Sequence, residues 1–287
     1  MRIANLDGRA VILTGESSGI DVHAASEGKF GPQLQALYRD WDSFREWATG
    51  QSGGSEVPFD KKQLQAPSPN PQQVFAIGLN YAKHAQESGF QSPDTATPPV
   101  FTKFVSCITG PFVDVALPPH GTTDWEIELV VVLSRTARNV RAEEAWSCVA
   151  GVTVGQDLSE RAGQLAGPVP QFSLAKSHEN FGPTGPWLVT ADDLDDRDDL
   201  ALTCAINGEV VQEGRTSDLL FSVPTLIAAL SRVVTLFPGD IIFTGTPDGV
   251  GMGRTPKRFL AEGDELVSSI EGVGEIRQRM VGSEDGV

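Results

Sequence analysis

Asp124-Trp-Glu-Ile-Glu-Leu-Val-Val-Val-Leu133 is the stretch on which the reading of this chain turns. Two acids alternate with apolar residues, and an unbroken aliphatic run, Leu129 to Leu133, follows. Such a run reads as a strand covered on both faces. Residues two apart on a strand share a face, so Glu126 and Glu128 project together, with Cα atoms roughly 6.5–7 Å apart. Carboxylates at that spacing repel unless a cation lies between them, and burying them unpaired is costly. A shared cation is one reading. Two exposed strand residues is the other, because Glu-x-Glu alone is a weak pattern.

A second apolar run, Gly151-Val-Thr-Val-Gly-Gln156, stops at Asp157. An acid at a strand end can place a third oxygen at the rim of a sheet. Oxygen donors alone favour Mg²⁺ or Mn²⁺, or Ca²⁺, over zinc. With few protein ligands, water and substrate complete the coordination, which marks a catalytic ion.

Outward from this core, short β runs alternate with Gly and Pro. Val74–Gly78, Leu202–Ile206 and Ile241–Thr244 read as strands. Asn207-Gly208 between two β runs signals a tight hairpin. Glu265–Ile270 and Glu275–Val281 form a second hairpin candidate. Pro224–Val234 reads as a helix capped by Ser222, and Pro238-Gly-Asp240 as a turn. Before residue 70 the texture differs. Arg9–Thr14 suggests a strand, and Leu34–Trp47 a helix with Leu37, Trp41, Phe44 and Trp47 on one face. A Gly/Ser/Pro/Gln-rich stretch from Gly50 to Gln73 reads as a linker. The expectation is an α+β, mainly β protein: a small N-terminal α/β domain over 1–70 and a catalytic domain over 71–283.

Composition narrows the partners. The chain has 287 residues and a net charge of −16, without a Lys/Arg-rich run, so nucleic acid is excluded as an expected partner. Most of that charge is expected simply to keep the protein dissolved. No run approaches the ~20 apolar residues that span a bilayer, so no membrane partner is expected. Cys107, Cys148 and Cys204 are odd in number and well separated, which fits a reducing compartment, the cytoplasm.

His84 lies three residues before Glu87, which puts the two on one face if Tyr81–Ser88 is helical. Glu87 can then orient the imidazole as a general base. Gly89 and the stretch Pro93–Pro99 would give this segment a flexible tail suited to gating. Thr244-Gly-Thr-Pro-Asp-Gly-Val-Gly251 is a Gly-rich loop whose amides can approach a carboxylate closely, and it lacks the ending of a phosphate loop.

Several motifs in one order resemble the fumarylacetoacetate hydrolase family over about Val74–Val281. They are Gly78-Leu-Asn-Tyr-Ala-Lys-His84, Pro99-Val-Phe-Thr-Lys103, Asp124–Leu129, Val154–Arg161 with Gln164, Ala175-Lys-Ser177, Gly182–Pro186, Thr216-Ser-Asp218 with Phe221–Pro224, Pro238–Asp240 and Thr244–Gly251. The resemblance implies a mixed β-sandwich roll, commonly a homodimer, with Glu126, Glu128 and Asp157 carrying the metal. It implies Lys176 as an active-site lysine beside His84 and Glu87. It also implies Arg161, Gln164, Thr246 and Lys103 as substrate contacts. A fourth acidic ligand found upstream in the prototype hydrolase has no clear equivalent here.

Such enzymes act on small 2-oxo acids. The expected activity is hydrolysis of a C–C bond in a 2,4-diketo acid, either an acylpyruvate or a diketo-deoxy sugar acid. Decarboxylation of oxaloacetate, or isomerisation of a hydroxymuconate-type acid, uses the same site. A protein that binds a small acid without catalysis is the reading from another class.

Overall fold

The computed structural model describes residues 1–51, 56–89, 97–119 and 121–282. Two mixed sheets dominate, one of twelve strands and one of five, with short helices at their edges. The large sheet contains β1 (Arg2–Leu6), β2 (Val74–Ile77), β3 (Ile127–Leu133), β4 (Val149–Gln156), β5 (Gly182–Val189) and β6 (Ile241–Phe243) in the spatial order β1-β5-β4-β3-β6-β2. The helices that matter to the site are α1 (Ala82–Glu87), α2 (Arg161–Gln164) and α3 (Phe172–Ala175).

The unbroken apolar run of β3 has the predicted cause. All seven of its residues are buried. Ile127, Leu129, Val131 and Leu133 face a core shared with the five-stranded sheet, which supplies Leu202, Ile206, Leu266 and Ile276. Val130 and Val132 face a second core with Leu34, Tyr38, Trp41 and Phe44 of the N-terminal segment. The period of two thus puts Glu128 on the same side of the sheet as Val130 and Val132. β4 runs antiparallel beside it, with Glu128 opposite Gly155 and Ile127 opposite Gln156. That register brings Asp157 level with Glu126, whose carbonyl accepts the Asp157 N–H at 2.9 Å. Gly155 has no room for a side chain, since a Cβ there would lie 2.5 Å from Val130 and 2.9 Å from Phe243.

The hairpin at Asn207-Gly208 forms as read, with φ of +51° and +83° at its two central residues. The strands Glu265–Ile270 and Gly274–Val281 also pair. The long N-terminal helix is broken: Leu34–Leu37 and Trp41–Thr49 are α-helical, with a 3₁₀ turn between them. Its apolar face is nonetheless continuous, because Leu37, Trp41 and Phe44 are all buried. Glu56–Pro58, Leu64–Gln65 and a short 3₁₀ turn form inside the stretch read as a linker. The N-terminal segment also joins the main sheet, since Arg2 and Ile3 of β1 pair with Val189 and Leu188 of β5. Ser222 precedes the helix Val223–Val233 without a side-chain cap. Cys107, Cys148 and Cys204 are buried and unbonded. No helix among the described residues is long and apolar enough to cross a membrane.

Candidate metal centre

Glu126, Glu128 and Asp157 converge where β3 begins and β4 ends. All three are buried, and each offers an oxygen within 4.8 Å of the other two. Their surroundings differ. Glu126 Oε2 accepts from Lys176 Nζ at 2.6 Å and Oε1 from Arg161 Nη2 at 2.7 Å. Asp157 Oδ2 accepts from Lys176 Nζ at 2.7 Å and Oδ1 from Lys103 Nζ at 2.7 Å. Glu128 makes no ion pair among the described residues; its one hydrogen bond comes from Gly245 N–H, at 2.6 Å to Oε2.

The electrostatics follow. Burial alone would raise the Glu126 carboxyl, but Lys176 and Arg161 outweigh it and hold the group below the usual carboxylate range. Glu128 moves the other way. Burial pushes its carboxyl well up, and the charges of Asp157 and Glu126 push it further. Burial also disfavours the Lys176 ammonium, yet Asp157 and Glu126 keep it protonated above the ordinary lysine range. Three buried oxygen donors, one without a cationic partner, fit a hard divalent cation.

Each predicted site residue can be placed. His84 is buried on α1, and its Nδ1 lies 2.9 Å from Glu87 Oε1. A carboxylate only accepts, so Nδ1 carries a proton, and in the neutral ring Nε2 keeps its lone pair. Arg161 and Gln164 lie one turn apart on α2, joined by a 2.9 Å bond from Nη1 to Oε1. Thr246 is fixed by Gln212 Nε2, which donates to its Oγ1 at 2.8 Å. His84, Arg161, Gln164 and Thr246, with Glu126, Glu128 and Lys176, line one narrow cleft of about 30 Å³, whose lining also includes Ile77, Leu79, Phe101, Phe172 and Met252. Glu87 stands behind His84. A wider groove of about 720 Å³ near Trp187 and Arg277 contains none of these residues.

Lys103, expected among the substrate contacts, does not line the cleft. Its ammonium is fully buried behind Asp157 and also donates to the Lys176 carbonyl. That position braces a carboxylate and leaves no face toward a ligand. The Gly-rich loop turns its amides inward. Its amides do approach carboxylates, but these are the protein's own. Gly245 donates to Glu128, Gly249 to Glu87 at 2.9 Å, and Gly251 to Asp124 at 2.7 Å. Gly245 has φ +102°, and a Cβ there would lie 2.7 Å from the Asn80 side chain, so only glycine brings its N–H to Glu128. Of the proposed gating stretch, residues 93–96 lie outside the described residues.

One buried acid beside the triad is not singled out by the sequence reading. Asp124 is completely buried, and its carboxylate accepts from the N–H groups of Trp125, Gly251 and Met252 and from Arg161 Nε at 2.9 Å. Its place two residues before Glu126 was the available signal, since Asp124, Glu126 and Glu128 extend one alternating series of acids.

Fold and site together define a class: a two-sheet scaffold with a buried acidic triad at a sheet end, beside short helices. Residues 73–281 match the fumarylacetoacetate (FAA) hydrolase C-terminal family, and the chain belongs to that family. It is 41% identical over 226 residues to the mitochondrial oxaloacetate tautomerase of Rattus norvegicus, covering 78% of this chain and 71% of that protein. It is 43% identical over 209 residues to the 2,4-didehydro-3-deoxy-L-rhamnonate hydrolase of Sphingomonas sp. (strain SKA58), covering 72% of each. Among solved structures, a Mycobacterium smegmatis protein is 57% identical with a TM-score of 0.93, over 99% of this chain and 100% of that one. The maleylpyruvate hydrolase of Sphingobium sp. SYK-6, solved with manganese(II) and pyruvate, is 31% identical with a TM-score of 0.80, over 99% and 100% of the two chains.

Proposed function

We propose that this protein is a divalent-metal-dependent hydrolase that cleaves a C–C bond in a 2,4-diketo acid, with Mg²⁺ or Mn²⁺ held by Glu126, Glu128 and Asp157. The observation that carries the reading is the buried triad, two of whose acids, Glu126 and Glu128, line one cleft with a histidine whose Nδ1 is held by a carboxylate. The solved relative bound to manganese and pyruvate and the sugar-acid hydrolase relative support it. A divalent cation in the triad supplies Lewis-acid stabilisation of the negative charge that develops as the C–C bond breaks.

The chain's own groups supply the rest. Arg161, Gln164 and Thr246 receive the substrate carboxylate. His84 Nε2 takes a proton from water as the water oxygen attacks the distal carbonyl, with Glu87 steadying the imidazolium. The bond between that carbonyl carbon and the methylene carbon then breaks, and its electron pair passes into the enolate of the 2-oxo acid. Lys176 adds positive charge beside the oxyanion. The enolate carbon regains a proton, leaving a carboxylic acid and a 2-oxo acid.

A second reading, oxaloacetate tautomerase, is favoured by the mammalian relatives. It uses the same enolate without attack by water. The test is a panel of acylpyruvates, 2,4-diketo-3-deoxy sugar acids and oxaloacetate with Mg²⁺ or Mn²⁺. Release of pyruvate plus an acid, abolished by EDTA, supports the hydrolase. Proton exchange on oxaloacetate with no cleavage of any diketo acid overturns it in favour of the second reading. The proposal includes a homodimer in a cytoplasmic setting, tested first by light scattering. It also includes a functional boundary near residue 70, just before the family match begins.

A further inference from the structure

Beyond the reaction type, the cleft carries information about the charge of its substrate. Four buried carboxylates, Asp124, Glu126, Glu128 and Asp157, face three buried cations, Lys103, Arg161 and Lys176. Four negative and three positive charges leave minus one. A divalent cation turns this to plus one, which a single substrate carboxylate cancels. Glu87, which does not line the cleft, adds only negative charge behind a neutral His84 and so disfavours a second carboxylate further.

A second carboxylate on the same molecule would need a cation of its own in a low-dielectric cleft. None is free. Among the Lys and Arg residues only Arg161 and Lys176 line the cleft. Arg161 is already paired with Asp124 and Glu126 and bonded to Gln164, and the two N–H groups it has left are those given to the first carboxylate. Lys176 is shared between Glu126 and Asp157 and rests against the face of Phe101 at 5.1 Å. The residues outside the described segments include neither Lys nor Arg. The remaining wall, Leu79, Phe101, Phe172 and Met252, is apolar, and Phe101 and Phe172 meet edge to face at 5.4 Å.

We propose that the site selects a 2-oxo acid with one carboxylate, whose distal group is uncharged and packs against the Phe101–Phe172–Met252 wall. The inference rests on the metal-dependent 2-oxo acid reading above and narrows it. Oxaloacetate has two carboxylates and a diketo-deoxy sugar acid has one, so charge also separates the two readings.

The test compares two keto acids of equal length, 2-oxopentanoate (one carboxylate) and 2-oxoglutarate (two), binding to the Mn²⁺-loaded full chain by calorimetry. The expected result is that 2-oxopentanoate binds about tenfold tighter or better. Met252→Lys and, separately, Phe172→Lys add an ammonium to the wall and should narrow that ratio. Equal or tighter binding of 2-oxoglutarate by the unaltered protein overturns the proposal, as does an unchanged ratio in both folded variants. If the order holds but no 2,4-diketo acid is cleaved, the hydrolase reading falls and the charge selection stands. If neither keto acid binds, both fall.

Discussion

Gly245 N–H donates to Glu128 Oε2 at 2.6 Å, so the backbone that follows β6 holds a carboxylate of the neighbouring strand β3. This is the only hydrogen bond to the one member of the triad that lacks a cation among the described residues.

Glu128→Gln should therefore act in opposite directions on two states. Without metal the substitution removes a buried charge crowded by Asp157 and Glu126, and the thermal midpoint should rise by about 2–4 °C. With Mn²⁺ the stabilisation should shrink and the affinity fall by about 100-fold or more. Thermal unfolding with and without Mn²⁺ reads both, and a variant stabilised by Mn²⁺ as strongly as the parent would remove Glu128 from the metal set.

Asp124 accepts four hydrogen bonds, one of them from Arg161, and an amide there would turn an NH₂ toward at least one donor. Asp124→Asn should lower kcat/KM by about 10–100-fold, largely through KM, because Arg161 and the loop bearing Thr246 lose a common anchor. Arg161→Lys should give a similar loss. The double variant should lose much less than the product of the two, and additive losses would deny the coupling.

His84→Asn removes the proposed base without touching the triad. Its kcat should fall by about 10²–10⁴-fold while Mn²⁺ affinity stays within about threefold. Glu87→Gln should fall less in kcat but also raise KM, since Glu87 holds the amides of Gly249 and Val250 as well as His84. Unaltered turnover in His84→Asn would assign water activation elsewhere.

His178 is exposed, but its ring lies 4.9 Å from Phe181, and the desolvation of the part packed against the protein lowers its pKa from the ordinary value of 6.5. The fold thus favours the neutral ring, and that contribution is complete above pH 6.5 and lost as pH falls through the depressed value. The unfolding midpoint should drop more steeply between about pH 7 and 5 in the parent than in His178→Gln. Parallel curves would assign the acid sensitivity to other groups.

Much of the site was visible in one dimension because strand geometry is local. The alternation of Glu126 and Glu128 and the position of Asp157 after an apolar run need only the two-residue period of a strand. The spacing of His84 and Glu87 needs only one helical turn. The partners of Lys103 and of the Gly-rich loop were not legible in the sequence, for one reason. A lysine near a substrate and a lysine behind a carboxylate have the same local sequence, and a backbone amide shows its partner only once distant segments meet.

What the amino-acid order alone determined is the set of elements: a strand apolar on both faces, the acids on one of its faces, the turns at Asn207-Gly208 and Pro238–Asp240, and the motif order that marks the family. The tertiary structure alone decided how charge is shared. Glu126 and Asp157 received cations from α2, α3 and their flanks, Glu128 received only an amide, and Asp124 was tied to Arg161, 37 residues away. Electrostatic pairing depends on distance through space and on burial, and the chain sets neither until β3, β4 and β6 lie side by side.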